Sequence, residues 1–147
     1  MEQRNMEKTA EYVHVVQYYE TDKMGITHHS NYIRWMEEAR VDYLDKAGWD
    51  YAKLEAMGVI SAVVSLSCDY KRPTTFSDRI TIQTMVTAFK GVTFEFSYEM
   101  RNQEGTVVFT GSSRHAFLNE AGRPVHIRSK YPELYEGFSK LPVSEPN

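Results

Sequence analysis

Gln17 to Arg40 reads QYYETDKMGITHHSNYIRWMEEAR, and the hydrophobic period changes within it. On its N-terminal side, Glu11 to Tyr19 is rich in Val and Tyr, a composition that predicts a strand. On its C-terminal side, Tyr32, Met36, Ala39, Tyr43 and Ala47 recur at three- and four-residue intervals, with Ile33, Trp35 and Leu44 widening the stripe. That spacing predicts a helix over 30–47, capped at Ser30 or Asn31 and stopped near Gly48. Burying so broad a stripe requires other elements to wrap most of the helix. Between strand and helix lies a polar loop containing Asp22, Gly25, His28 and His29. Loops hung between rigid elements are where chemistry tends to sit.

After the long helix the pattern becomes that of strands. A helical turn at Tyr51 to Ala56 and Gly58 precedes an alternation of Ile60, Ala62, Val64, Leu66, Cys68 and Tyr70, ended by Lys71-Arg72-Pro73. Arg79 to Ala88 sets Ile80, Ile82, Val86 and Ala88 on one face. Val92, Phe94, Phe96, Tyr98 and Met100 then alternate with Thr93, Glu95, Ser97 and Glu99, which predicts one buried face and one wet one. Asn102 to Gly105 is a hairpin turn. A fifth strand over 106–118, a turn at Asn119 to Pro124, a short piece at Val125 to Ile127 and a helical tail at Pro132 to Phe138 complete the chain. The order is strand, long helix, then a meander of antiparallel strands. This predicts an α+β fold in which the sheet curls around the central helix. We expect a loose N-terminus over 1–10, one domain over 11–140 and a loose tail over 141–147. Long antiparallel edges predict pairing with a second copy, so at least a dimer.

Composition narrows the functions open to such a fold. A length of 147 residues suits one domain. A formal net charge of -3, with basic and acidic residues interspersed, gives no basic stripe and argues against a nucleic-acid partner. The lone Cys68 cannot form an internal disulfide, and 1–11 is polar with no apolar run of the signal-peptide kind. No stretch approaches the roughly 20 apolar residues that cross a bilayer. Together these features predict a soluble protein of the reducing cytoplasm.

The loop offers chemistry and also plainer readings. A carboxylate facing a carbonyl polarised by a helix N-terminus is the minimum needed for acyl transfer to water. Such a scheme needs no metal or cofactor. Locally, however, Asp22 ahead of Gly25 reads first as a turn residue. His28 and His29 are adjacent, so in regular structure they point in different directions and make poor joint metal ligands. His14, His115 and His126 show no ligand spacing. Glu37 and Arg40, three apart on the helix, predict an ion pair. Cys68 reads as a small core residue, and Tyr32, Trp35 and Met36 read as core first and substrate wall second.

Taken together, Tyr18-x-x-Thr21-Asp22-x-x-Gly25, His29, Asn31-Tyr32 and Glu37-x-Ala39-Arg40 resemble the signature of the hotdog-fold acyl-CoA thioesterases, in the 4-hydroxybenzoyl-CoA thioesterase and YbgC-like branch. The strand order and the Tyr70-x-x-Pro73 segment also fit, so the likeness spans nearly the whole domain. The resemblance implies hydrolysis of an acyl-CoA thioester to a carboxylic acid and CoA. It implies catalysis by Asp22 as nucleophile or general base, with the His29 backbone N–H polarising the carbonyl and Tyr18 lining the site. Gly25, Tyr32, Lys71, Arg72, Lys90 and Arg114, with Arg128, would contact substrate or the phosphates of CoA. Thr21, Glu37 and Arg40 would give structural support. No cofactor is implied beyond CoA as part of the substrate. The assembly implied is a homodimer or homotetramer with sites across a dimer interface. Two departures stand out: Glu20, where many relatives carry Asp, is expected to be harmless, whereas His28, where an aromatic is common, bears on the acyl pocket. Hydrolysis of acyl carrier protein thioesters, or acyl-CoA binding without cleavage, are the alternatives.

Overall fold

The computed structural model describes residues 10–144. Five antiparallel strands, β1 (Ala10–Val15), β2 (Ile60–Tyr70), β3 (Arg79–Phe89), β4 (Thr93–Arg101) and β5 (Val107–Leu118), form one curled sheet in the order β1-β3-β4-β5-β2. The long helix α1 (Ser30–Lys46) packs into it. Its buried side is the predicted stripe of Tyr32, Trp35, Met36, Ala39, Tyr43 and Leu44, joined by Asn31 and Arg40. Ile33 is 40% exposed, so the stripe is narrower than the sequence predicts, and it leaves an outer face of Ile33, Glu37 and Val41 uncovered within the chain. Short helices follow at α2 (Tyr51–Ala56), α3 (Ile127–Lys130) and α4 (Pro132–Ser139).

Only part of the expected meander forms. β3, β4 and β5 are successive neighbours, but β2 crosses over to pair with β5 instead of β3. β2 is thus an edge strand of 11 residues, bulged between Val63 and Ser65. It exposes Ile60, Val63, Val64, Leu66 and Tyr70. The expected alternation does appear in β4, whose Phe94, Phe96, Tyr98 and Met100 are buried while their neighbours are half-buried.

The boundaries differ in several informative places. β1 stops at Val15 because the chain turns into a 3-10 turn over Tyr18–Glu20. The residue preceding α1 is His29: the Asn31 side chain, expected to cap, instead donates to the Glu20 and His28 carbonyls. At the far end Leu141 is buried and the Ser144 N–H donates to the Val86 carbonyl at 2.8 Å. The chain is therefore held to β3 through 144 where a loose tail was expected, just as Ala10 is held by pairing with Thr84. The remainder of both expected loose ends, 1–9 and 145–147, lies outside the described residues. The predicted piece at Val125 to Ile127 is also split, since Ile127 opens α3.

Gly111 shows how closely the sheet fits the helix. A Cβ there would lie 2.7 Å from the Ser67 carbonyl oxygen, 2.8 Å from a ring carbon of Phe109 and 3.1 Å from the Met36 sulfur. Backbone cannot step aside as a long side chain can. Gly111→Ala is expected to destabilise the fold by about 1–3 kcal/mol, measured by chemical denaturation against wild type.

Candidate active site

The loop after β1 closes on itself. Thr21 bridges Thr27, the Asp22 N–H donates to the Ile26 carbonyl at 2.9 Å, and the Gly25 N–H returns to the Asp22 carbonyl at 2.9 Å. Gly25 has φ of 77°, a left-handed conformation that glycine adopts without cost. The Thr21 hydroxyl donates to the Tyr18 carbonyl at 2.7 Å. Asp22 itself is exposed, and its carboxylate accepts from the Met24 N–H at 2.8 Å. The local reading of Asp22 as a turn residue therefore describes its geometry.

Beside this loop a hollow of about 310 Å³ is lined by Ile26, Thr27, His29, Tyr32, Tyr70, Lys71, Arg72 and Pro73. Its floor is aromatic: Tyr32 stacks on Phe109 at 5.2 Å, and Tyr70 meets Tyr32 edge-on at 5.2 Å. The Tyr32 hydroxyl is hydrogen-bonded to Thr74 at 2.9 Å, and burial raises its pKa above the ordinary phenol value. The start of α1 reaches the hollow through His29. The Ser30 N–H is taken by the His28 ring at 3.2 Å and the Asn31 N–H by the His28 carbonyl at 3.0 Å, while the His28 N–H donates to the Glu20 carbonyl at 2.9 Å. Among the described residues no group accepts from the His29 N–H. The two histidine rings lie 4.2 Å apart and only 30° from parallel, contrary to the divergent directions expected of neighbours, because they sit at the loop-to-helix junction and not within one regular element. No group of three or more His, Cys, Asp or Glu among the described residues could hold a metal ion.

Of the residues singled out in the sequence, His29, Tyr32, Lys71 and Arg72 come together in the hollow, and Asp22 flanks it through its bond to Ile26. Tyr18 is 76% exposed and meets Phe76 edge-on at 5.8 Å. Arg114 lies exposed on β5, opposite Glu95 and Ser65. Lys90, in the β3–β4 turn, lies by Phe117, whereas the hollow lies by Phe109. Eight residues of strand separate those ends, about 26 Å, so one chain does not bring Lys90 to the hollow. Arg128 is exposed beside Tyr135.

The Glu37–Arg40 ion pair does not form. Arg40 is buried on the core side and donates to the hydroxyls of Tyr51 and Tyr98 at 3.1 and 3.2 Å, while Glu37 lies on the exposed face. Arg40 thus ties α1 to α2 and β4 and makes no bond to the loop.

Thr27 holds the far end of the loop by bonding Thr74, and the near end is held by Glu20 with His14 and Glu38 behind it, residues that the sequence pattern passed over. Glu20, expected to be a harmless departure, is 4% exposed and accepts from the Gln17 N–H, the His14 Nε2 and the Trp35 Nε1–H at 2.8, 2.8 and 2.7 Å. Burial alone would raise its pKa, but these bonds outweigh it and hold the carboxyl below its ordinary value. Its donors lie 3, 6 and 15 residues away, a spacing with no periodic signature.

This architecture has close parallels. The sequence profile of the thioesterase-like superfamily matches residues 16–140. The chain belongs to that superfamily. It is 30% identical to YneP of Bacillus subtilis, named as a candidate acyl-CoA thioesterase, over 85% of this chain and 91% of that one. It is 29% identical to the acyl-CoA thioester hydrolase YbgC of Escherichia coli, over 63% of this chain and 69% of that one. The crystal structure of a DHNA-CoA thioesterase from Staphylococcus aureus superposes with a TM-score of 0.86 at 32% identity, covering 90% of this chain and 89% of that one. The resemblance read in the sequence is borne out, as is the hotdog fold, and the expectation of a thioester hydrolase stands with this membership.

Proposed function

We propose that the chain hydrolyses an acyl-CoA thioester to a carboxylic acid and CoA, with Asp22 supplying the oxygen chemistry and the start of α1 polarising the thioester carbonyl. The observation that carries this reading is the His29 N–H: it stands at the head of a 17-residue helix, has no acceptor among the described residues, and belongs to a residue lining an apolar hollow. A carbonyl oxygen received there gains a donor and the positive end of the helix dipole as its charge grows. The Asp22 carboxylate either attacks the carbonyl carbon, expelling the thiolate and leaving an anhydride that water opens, or takes a proton from the water that attacks. Each route consumes one water and releases one thiol and one acid.

The remaining parts of the site come, in this reading, from a second copy. β2 is long, apolar and paired on one side only. Its Ile60 end pairs with Leu118 near the Lys90 turn, and its Tyr70 end pairs with Phe109 beside the hollow. Antiparallel pairing of two β2 strands about a two-fold axis sets the Lys90 end of one chain against the hollow of the other. Lys71, Arg72 and the second copy's Lys90 would then meet the phosphates of CoA.

Incubation with acetyl-, hexanoyl-, palmitoyl- and benzoyl-CoA, with release of free thiol followed, tests the reaction. At least one of the four is expected to be hydrolysed, with free CoA competing. Tight binding of acyl-CoA that stays intact through long incubation would make the chain a binding module instead, and hydrolysis indifferent to free CoA would turn attention to carrier-protein thioesters.

A further inference from the structure

Among the described residues no side chain bonds the Asp22 carboxylate. The carboxylate accepts from Met24 within the same turn, so its position depends on the backbone of the loop. Both ends of that loop meet at one residue. The Glu20 carbonyl accepts from the His28 N–H at 2.9 Å and from the Asn31 side chain at 3.0 Å, joining the loop's exit and the first turn of α1. Its carboxylate, two residues before Asp22, accepts from Gln17, His14 and Trp35.

His14 extends this grip to β1 and to the middle of α1. Its Nε2 lies 2.8 Å from a Glu20 oxygen and its Nδ1 lies 3.0 Å from a Glu38 oxygen. Carboxylate oxygens are acceptors, so each ring nitrogen of His14 faces an acceptor, one from the loop and one from the helix. The imidazole lies 4.7 Å from the Trp35 ring with 32° between planes, and the Tyr12 hydroxyl donates to the same Glu38 oxygen at 2.8 Å. The result is a chain, Glu38–His14–Glu20–Trp35, buried at Glu20 and Trp35 and half-buried at His14 and Glu38, with its two ends on one helix and a strand residue between its carboxylates.

We propose that Glu20 is the positioning residue of the hydrolytic loop, and that the His14 bridge between Glu20 and Glu38 holds it in place. Glu20 touches neither substrate nor the reacting atoms. It acts through the backbone, by fixing where the Asp22 turn stands relative to the His29 N–H. The proposal rests on the reading of Asp22 and His29 given above, because positioning has meaning only if those groups react. Misplacement by about 1 Å is enough to cost about a hundredfold in rate. Gln at this position cannot satisfy the same donors, since its NH₂ would oppose either the indole N–H or the N–H donors on the other side.

The test uses the full chain and whichever of the four acyl-CoAs the wild type turns over fastest. Glu20→Gln is expected to lower kcat about a hundredfold with KM changed less than about threefold, and to shift the Trp35 indole N–H resonance. His14→Gln, which leaves the Gln17 and Trp35 bonds in place, is expected to lower kcat about tenfold and to shift the same resonance less. Assays run well below each variant's unfolding midpoint, where a merely structural role leaves kcat unmoved. Wild-type kcat in Glu20→Gln with a displaced indole signal would overturn the proposal. Should Glu20→Gln not fold, wild-type kcat in His14→Gln with a displaced indole signal would do the same. A fully active Asp22→Asn would instead overturn the underlying reading of the site.

Discussion

Asp22→Asn is expected to fold as the wild type does and to lose thioester hydrolysis by about a thousandfold. The two side chains are nearly equal in volume. Asp22 is exposed, and the one bond its side chain makes among the described residues, from the Met24 N–H, can be made equally well by an amide oxygen. Stability should therefore stay within about 0.5 kcal/mol of wild type. The amide has neither the charge to attack a carbonyl nor the basicity to take a proton from water, so both chemical routes close together. Turnover measured on every substrate the wild type accepts decides the matter, and undiminished rates would remove Asp22 from the mechanism. His29→Ala gives the contrast. Its backbone N–H survives, so the loss should stay below about tenfold. A loss equal to that of Asp22→Asn would move the catalysis onto the imidazole.

The second large effect concerns stability in acid. His115 is 1% exposed, stacks on Phe94 at 4.9 Å and shares a 2.7 Å hydrogen bond with Ser113. Ser113 bonds the Tyr98 hydroxyl, which accepts from Arg40. Burial first, and the Arg40 charge second, push the His115 imidazole down from 6.5 to about 3. The folded protein thus keeps this ring neutral where the unfolded chain protonates it. Between pH 6.5 and about 3 the unfolded state binds one more proton than the folded one, so stability falls as pH falls through that window. The slope is about 1.4 kcal/mol per pH unit, a loss of about 2–3 kcal/mol by pH 4.5. Glu20 acts in the same direction but only below its ordinary value of 4.5, since its folded pKa is lowered. The interval from 6.5 to 4.5 therefore separates the two. Wild type should lose about 5–10 °C in Tm across it, whereas His115→Gln, which takes up no proton, should show a flatter profile. Parallel profiles for the two proteins would refute the assignment.

Much of this fold was legible because periodicity is local. The stripe through Tyr32, Trp35, Met36, Ala39 and Tyr43, and the alternation through Phe94, Phe96, Tyr98 and Met100, follow from neighbours three, four or two residues apart. The pairing of β2 with β5 was not legible, since nothing in the sequence of Ile60 to Tyr70 distinguishes a strand beside β3 from one that crosses the sheet. The site divided the same way. The resemblance and the basic strand ends put Tyr18, Asp22, Gly25, His29, Tyr32, Lys71, Arg72, Lys90 and Arg114 in one site, and of these His29, Tyr32, Lys71 and Arg72 line the hollow. Glu37 and Arg40 were misjudged because three-residue spacing does not say which side of a helix is buried: Arg40 turned inward with Ala39 and Tyr43, Glu37 outward with Ile33 and Val41. Glu20 and His14 were overlooked because their partners come from a strand, a turn and a helix whose meeting depends on the completed fold.

Because the loop is fastened at Glu20 and, through Thr27, at Thr74, residues 22–26 form a small ring whose anchorage lies outside itself. Lys23 and Met24, at its exposed tip, bear no part of that fastening. Side chains at such a tip can be exchanged while the helix start and the aromatic floor stay where they are, whereas a change in its length would move the Met24 N–H that holds the Asp22 carboxylate. The Asp22 carboxylate therefore rides on a turn whose tip side chains are open to change and whose backbone is not.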